Sequence, residues 1–271
     1  MIGSAMSKAS ARLGASIWGF YGRQPVKDWP TLADAARALL SVDRALGLEV
    51  WGAKSLEDPG AGDAEIADLA EVCCAASFVS VHVRGVHMRW DPAGLRREID
   101  FSKRVQASLL VLHPVCLGVS HPDDRLDVPE ILRIAEYAAG RDVRLALENM
   151  VDTIWLLDRV LEAVGDDPEA TNLGICIDTG HARMSHDAGR EPVANYLERY
   201  AGQLLHIHFH DNHGASDEHL VPGDGTIDWA RVLRVLDGIG HTGTAVLEVH
   251  PVDGTVAEAV RRGLTFLRST V

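Results

Sequence analysis

Eight times along its length the chain passes from a short apolar segment rich in β-branched residues to an amphipathic stretch of three to four turns, and this alternation constrains the fold more than any other feature. The strand segments are RLGASIWGF, GLEVWG, FVSVHVRG, SLLVLHPV, RLALENM, LGICIDTGHA, LLHIHFHDN and GTAVLEVH. The helical patterns between and after them are TLADAARALLSVDRAL, DAEIADLAEVCCAA, AGLRREIDFSKRVQ, VPEILRIAEYAAG, TIWLLDRVLEAV, PVANYLERYAG, DWARVLRVLDGIG and TVAEAVRRGLTFL. Strict βα order with nearly continuous apolar strands requires a parallel sheet covered by helices. Eight such units in 271 residues predict an α/β fold, a closed (β/α)8 TIM barrel forming a single domain over residues 11–271. The opening MIGSAMSKAS, residues 1–10, is expected to be a flexible tail outside the barrel. A doubly wound open sheet would want a glycine-rich turn after its first strand, and IWGFYGRQP is a poor one.

Composition narrows the partners. No apolar run approaches the length of a bilayer span, and the opening residues have neither a basic nor an apolar leader region, so a cytoplasmic protein without membrane association is expected. A formal charge of -13 repels phosphate backbones and anionic membranes, which speaks against nucleic acid as a partner. Bound divalent ions would reverse that sign locally. Cys73, Cys74, Cys116 and Cys176 show no C-x-x-C spacing and are expected to be reduced thiols, Cys176 as a small core residue with a metal thiolate as the alternative. Self-association into a homo-oligomer is left open.

In a barrel the site is built at the C-terminal ends of the strands, and those ends carry metal-binding residue types. Strands three to eight offer His82, His113, Glu148, Asp178 with His181, His208 and Glu248 in turn. Successive intervals of 31, 35, 30, 30 and 40 residues are close to one βα unit each, so six consecutive strands direct a candidate ligand to one mouth. The longest interval holds the loop HGASDEHLVPGDG, which adds Asp217 and His219. A single histidine at a strand end is ordinarily a hydrogen-bonded core or rim residue. Glu148 and Glu248 differ, because each interrupts an apolar strand where an unpaired carboxylate would be costly. The clustered His and Asp residues make a cation held between them the expected remedy.

Strand seven places His206, His208 and His210 on one face by period-two alternation. His208 is the expected ligand, with Asp211 of H-x-x-D orienting a neighbour, His206 hydrogen-bonded in the core and His210 lining the substrate pocket. In VPGDGTIDW, Gly223 and Gly225 permit a tight turn, Asp228 caps a helix and Trp229 packs in its first turn. Trp18 and Trp51, ending strands one and two, are either core or an apolar wall for a sugar ring.

The motifs LEN at Glu148, CIDTGHA at Asp178 and His181, H-x-x-D at His208, DEHLVPGDGTIDW and VLEV at Glu248 together resemble the xylose-isomerase-like barrels. That group includes sugar and sugar-phosphate isomerases and epimerases, inosose dehydratases and AP endonucleases of the endonuclease IV type. The resemblance to the isomerases implies one divalent metal (Mn²⁺, Mg²⁺, Co²⁺ or Zn²⁺) held by Glu148, Asp178, His208 and Glu248, with both glutamates also serving as catalytic acid and base. It implies a small-molecule carbohydrate substrate, a sugar, polyol or keto-sugar derivative, with His181, Asp217 and His219 binding a second ion or substrate hydroxyls. The endonuclease resemblance implies instead a multinuclear zinc phosphodiesterase, with His82, His113, Glu148, Asp178, His181, His208, Asp217, His219 and Glu248 matching its three-metal cluster. Ketohexose 3-epimerases of the group carry an Arg before the PG turn, where this chain has ASDEHLV.

Overall fold

A computed structural model describes residues 12–21, 30–54, 60–165, 167–187, 189–251 and 254–270. The segment expected to be a tail, residues 1–10, lies outside them. Eight parallel strands close into a barrel in sequence order: β1 Leu13–Ser16, β2 Gly47–Trp51, β3 Val79–His82, β4 Leu109–Leu112, β5 Arg144–Glu148, β6 Leu173–Asp178, β7 Leu204–Phe209 and β8 Thr244–Leu247. The last strand pairs with the first through Gly14↔Val246 and Ala15↔Leu247.

The outer ring is α1 Leu32–Leu40, α2 Asp63–Cys73, α3 Pro92–Arg104, α4 Val128–Ala139, α5 Ile154–Val164, α6 Thr179–Met184, α7 Pro192–Arg199, α8 Trp229–Gly238 and α9 Val256–Ser269. Their starts follow from local chemistry. Side chains of Thr31, Asp91, Asp127 and Asp228 accept a backbone N–H from the first turns of α1, α3, α4 and α8, and Thr255 with Glu258 forms a capping box on α9. Each amphipathic helix turns its apolar stripe onto the outer face of the sheet, where Leu39, Leu69, Ile99, Ile134, Val160, Leu197, Val235 and Val260 are buried. Among the described residues, no helix is long and apolar enough to cross a membrane.

Inside the barrel the side chains change character with height. At the floor, Phe78 occupies the room left by Gly14 and Gly47, with the edge of His206 6.5 Å away between ring centroids. Above it, Val111, Ala146 and Cys176 form an apolar cluster on one side, opposite Glu49, Ser80 and His206 on the other. A register shift pairs Ile175 with Leu204 but Cys176 with His206, so Leu205 is a bulge whose side chain sits over Gly174. The strand carboxyl ends then bring Trp51↔His82, Glu148↔Cys176 and Asp178↔His208 into register at the mouth.

LGICIDTGHA is not one strand as expected. β6 stops at Asp178, whose carboxylate accepts the His181 backbone N–H at 2.7 Å and so caps α6. An Asp three residues before a free N–H is a cap as well as a strand end, and period-two reading does not separate the two.

Candidate active site

Glu148, Asp178, His208 and Glu248 come from β5, β6, β7 and the residue after β8, and each offers a ligand atom within 4.8 Å of the others. Nδ1 of His208 is the meeting point, 3.2 Å from Glu148 Oε1, 3.3 Å from Glu248 Oε2 and 3.8 Å from Asp178 Oδ2. Two further groups flank this one. His82 and His113 set their Nε2 atoms 3.0 and 3.1 Å from Glu148 Oε2, so Glu148 belongs to both sets. Asp217 Oδ2 lies 3.0 Å from His219 Nε2 and 3.4 Å from His181 Nε2. All nine residues singled out by residue type thus stand around one mouth.

Whether a cation fits is decided by the histidine tautomers. His82 Nδ1 is 3.0 Å from the Val83 carbonyl, His181 Nδ1 3.0 Å from the Asn149 carbonyl, and His219 Nδ1 2.9 Å from the Glu248 carbonyl. A carbonyl only accepts, so each Nδ1 carries its proton there. The other nitrogen of each ring then faces a carboxylate oxygen. Lone pair against anion is repulsive unless a second proton or a cation lies between. The ion-pair partners of Glu49, Glu148, Asp178 and Glu248 are histidines. Carboxylates and imidazoles with anchored tautomers are a donor set suited to a divalent ion.

Without a cation, protons do the balancing. Burial opposes charge on His208, but the surrounding carboxylates of Glu49, Glu148 and Glu248 outweigh it and raise its pKa well above the usual imidazole value. Burial is likewise outweighed at His181, driven up to about 10 by Asp178 and Asp217, and at His219, driven up to about 9 by Asp217 and Glu248. Glu148 moves the opposite way: burial would raise it, yet His208 and His113 hold it well below the carboxylate range. Glu248 is lowered too, His208 overcoming its burial.

Several expectations need correction. His210 does not line an open pocket: it is fully buried, its Nε2 2.9 Å from Asp178 Oδ1 and its ring stacked on His219 with centroids 4.0 Å apart. Asp211 does not orient a histidine. Its carboxylate instead accepts the N–H groups of Asn212, Gly223 and Ile227 and the Trp229 indole N–H at 2.7–3.1 Å, tying the 211–229 loop to the end of β7. That loop carries Asp217 and His219, the latter at φ +50, a left-handed backbone held by the bond between its ring and Glu248. Of the turn glycines, Gly223 needs its positive φ of 94, whereas Gly225 is required by the close approach of Asp211 and Asn212. Cys176 packs in the apolar cluster with Val111 and Ala146 and belongs to none of the candidate ion-holding groups among the described residues, the position of a core residue, and burial pushes its thiol up to about 12.

Trp51 is a core residue and Trp18 is only partly so. Trp51 is buried between His82, with ring planes 4° apart and centroids 4.1 Å apart, and Trp18, with centroids 4.6 Å apart. Trp18, half-buried in the turn after β1, is the outer member of the stack. Glu49 was missed altogether. It is fully buried on β2, its Oε2 receiving the Ser80 hydroxyl at 3.1 Å and lying 3.2 Å from His208 Nε2. GLEVWG breaks an apolar strand with a glutamate just as LALEN and AVLEV do, and that signal was available.

Comparison with known proteins agrees with the barrel fold. The family described as Xylose isomerase-like TIM barrel matches residues 8–270. A Methanocaldococcus jannaschii protein of uncharacterized function is 30% identical over 163 residues, 57% of this chain. The chain spans 55% of that protein's length, and 32% and 60% of two further curated relatives. Fructoselysine 3-epimerase of Shigella flexneri is 23% identical over 231 residues, covering 75% of this chain and 80% of the epimerase. Among solved structures, a Thermus thermophilus protein soaked with ZnCl2 superposes with a TM-score of 0.61 at 25% identity over 96% of this chain and 97% of that one.

Proposed function

This chain belongs to the xylose isomerase-like TIM barrel family, and from that premise we propose that it is a divalent-metal-dependent isomerase or epimerase, or a related lyase or dehydratase, acting on a sugar, polyol or keto-sugar derivative. The observation that carries the reading is the convergence of Glu148 and Glu248, from strands three positions apart in the barrel, on the same His208 nitrogen. Glu148, Asp178, His208 and Glu248 would hold the ion, of which Mn²⁺, Mg²⁺, Co²⁺ and Zn²⁺ all suit oxygen-rich ligation with one imidazole. When bound, the ion supplies positive charge beside a substrate oxygen where negative charge develops.

The remaining work falls to the side chains. Both glutamates are held ionised, so either is ready to take a proton from a carbon next to a carbonyl. Coming from different strands, they reach the substrate from different directions. One removes the proton as a carboxylate, and the other, once it has taken a proton from solvent, returns it to the substrate, which inverts the carbon or moves the carbonyl. His113, half-buried, Asp217 at the rim and His181 just beneath it would meet substrate hydroxyls. Trp18 offers its outer face to the apolar side of a sugar ring.

A second reading has its own support. Glu148 is shared between the His82–His113 pair and the four-residue set, while His210, Asp217 and His219 form a further cluster with His181 3.4 Å from Asp217, an arrangement that would suit a multinuclear zinc phosphodiesterase or AP endonuclease. The charge of -13 weighs against a DNA substrate.

Incubating metal-loaded protein in D₂O with ketoses, inososes, keto-glycosides and abasic DNA separates the two. Deuterium entering one carbohydrate class beside its carbonyl is the expected result. Cleavage of abasic DNA with no exchange into any carbohydrate would overturn it in favour of the nuclease.

A further inference from the structure

Three imidazoles at the mouth, His82, His181 and His219, are anchored through Nδ1 to backbone carbonyls. His208, the one at which the carboxylates of the proposed metal shell meet, is anchored differently. Its Nε2 lies 3.2 Å from Oε2 of Glu49, which stands deeper in the barrel on β2. The same oxygen receives the Ser80 hydroxyl at 3.1 Å and has His206 Nε2 3.3 Å away, while Glu49 Oε1 is buried with no hydrogen-bond partner. Leaving half a carboxylate unsatisfied inside a barrel is expensive, and an aliphatic side chain would cost less. A charge retained at that cost has work to do on the ring it touches.

We propose that Glu49 is a positioning residue: by accepting the Nε2 proton of His208 it fixes the tautomer and rotation of that ring, so that Nδ1 is the nitrogen presented to a divalent cation held with Glu148, Asp178 and Glu248. A carbonyl would fix the tautomer alone. A full negative charge also makes the opposite nitrogen a stronger electron-pair donor, and carboxylate–histidine–metal arrangements of this kind alter affinity about 10–100-fold when the outer partner is lost. His206 contributes to the same end by holding its own ring against Thr244 Oγ1 at 2.6 Å, which keeps it beside Glu49.

The inference rests on the metal reading above but not on the reaction, so binding is measured rather than turnover. Co²⁺ titration of the full chain should give a Kd raised about 10–100-fold in Glu49→Gln, with a changed visible absorption spectrum. Unchanged affinity and spectrum in that variant would overturn the proposal. So would loss of a second Co²⁺ with the first unaffected, because Glu49, His206 and His208 would then be a metal site in their own right. A fold defect in Glu49→Gln does not block the test. In Zn²⁺-loaded wild type labelled with ¹⁵N-histidine, His208 should show a proton on Nε2 and metal on Nδ1, and the reverse assignment would sink the idea. Wild-type protein that takes up no Co²⁺ at all would remove the metal reading together with this one. Metal uptake without carbohydrate turnover would remove only the reaction.

Discussion

The ring of Phe78 fills the space that a side chain at Gly47 would need. Phe78 is the floor of the barrel and Gly47 is the wall it leans against, so the two positions must vary together. Gly47→Ala is expected to lose about 1–3 kcal/mol of stability as an overpacked core site. Phe78→Leu in the same chain should return part of that loss. Urea unfolding of the two single variants and the double variant measures the coupling, and strictly additive effects would contradict the shared space.

Glu148→Gln and Glu248→Gln should each lower kcat by about 10²–10⁴-fold, the range of a positioned acid or base. Both should remain folded by far-ultraviolet circular dichroism. Full turnover in either variant would rule that residue out of proton transfer.

Chelation should lower the melting temperature, because an ion that binds only the folded chain stabilises it by about 2.7 kcal/mol at one hundred times its Kd. Elemental analysis of the purified protein counts the ions. One exchangeable ion per chain fits the isomerase reading, and three tightly held zinc ions fit the phosphodiesterase reading.

His241, in the loop before β8, is pulled down to about 4 by burial and by the neighbouring His206. Its folded value lies below its unfolded one, so between these two the unfolded chain holds more protons and stability rises with pH. The contribution is complete above about 6.5 and is lost as pH falls through about 4, with an upper size of about 3 kcal/mol. His241→Asn should therefore flatten the stability profile between pH 4 and 6.5 in urea titrations; a profile parallel to wild type would show that His241 does not titrate as described.

How far the sequence reveals this architecture depends on which periodicity each residue obeys. Glu148, His208 and Glu248 stand at or next to strand ends spaced by one βα unit, and that spacing puts them at one height before any coordinates are known. Glu49 obeys the same rule of a carboxylate inside an apolar strand, but it lies two residues below the end of β2, so counting strand ends passes over it. Asp211 was legible as important and not as to its partners, because the four donors it gathers return from up to 18 residues further along the chain. His210 follows the alternation of β7 into the interior, and only the position of the 217–219 loop determines that it is covered rather than open.

The seam between β1 and β8 sets a timetable for the protein during synthesis. Candidate ligands run from His82 to Glu248, and the partner of Ala15 in the closing pair is Leu247, the residue just before the final ligand. A growing chain can build helices and pair neighbouring strands as each emerges, but its mouth stays open on one side until the eighth strand meets the first. Under the proposed metal reading, His82, His113 and Glu148 can gather once β3 to β5 have paired, whereas the four-residue set of Glu148, Asp178, His208 and Glu248 is completed only when the last strand arrives.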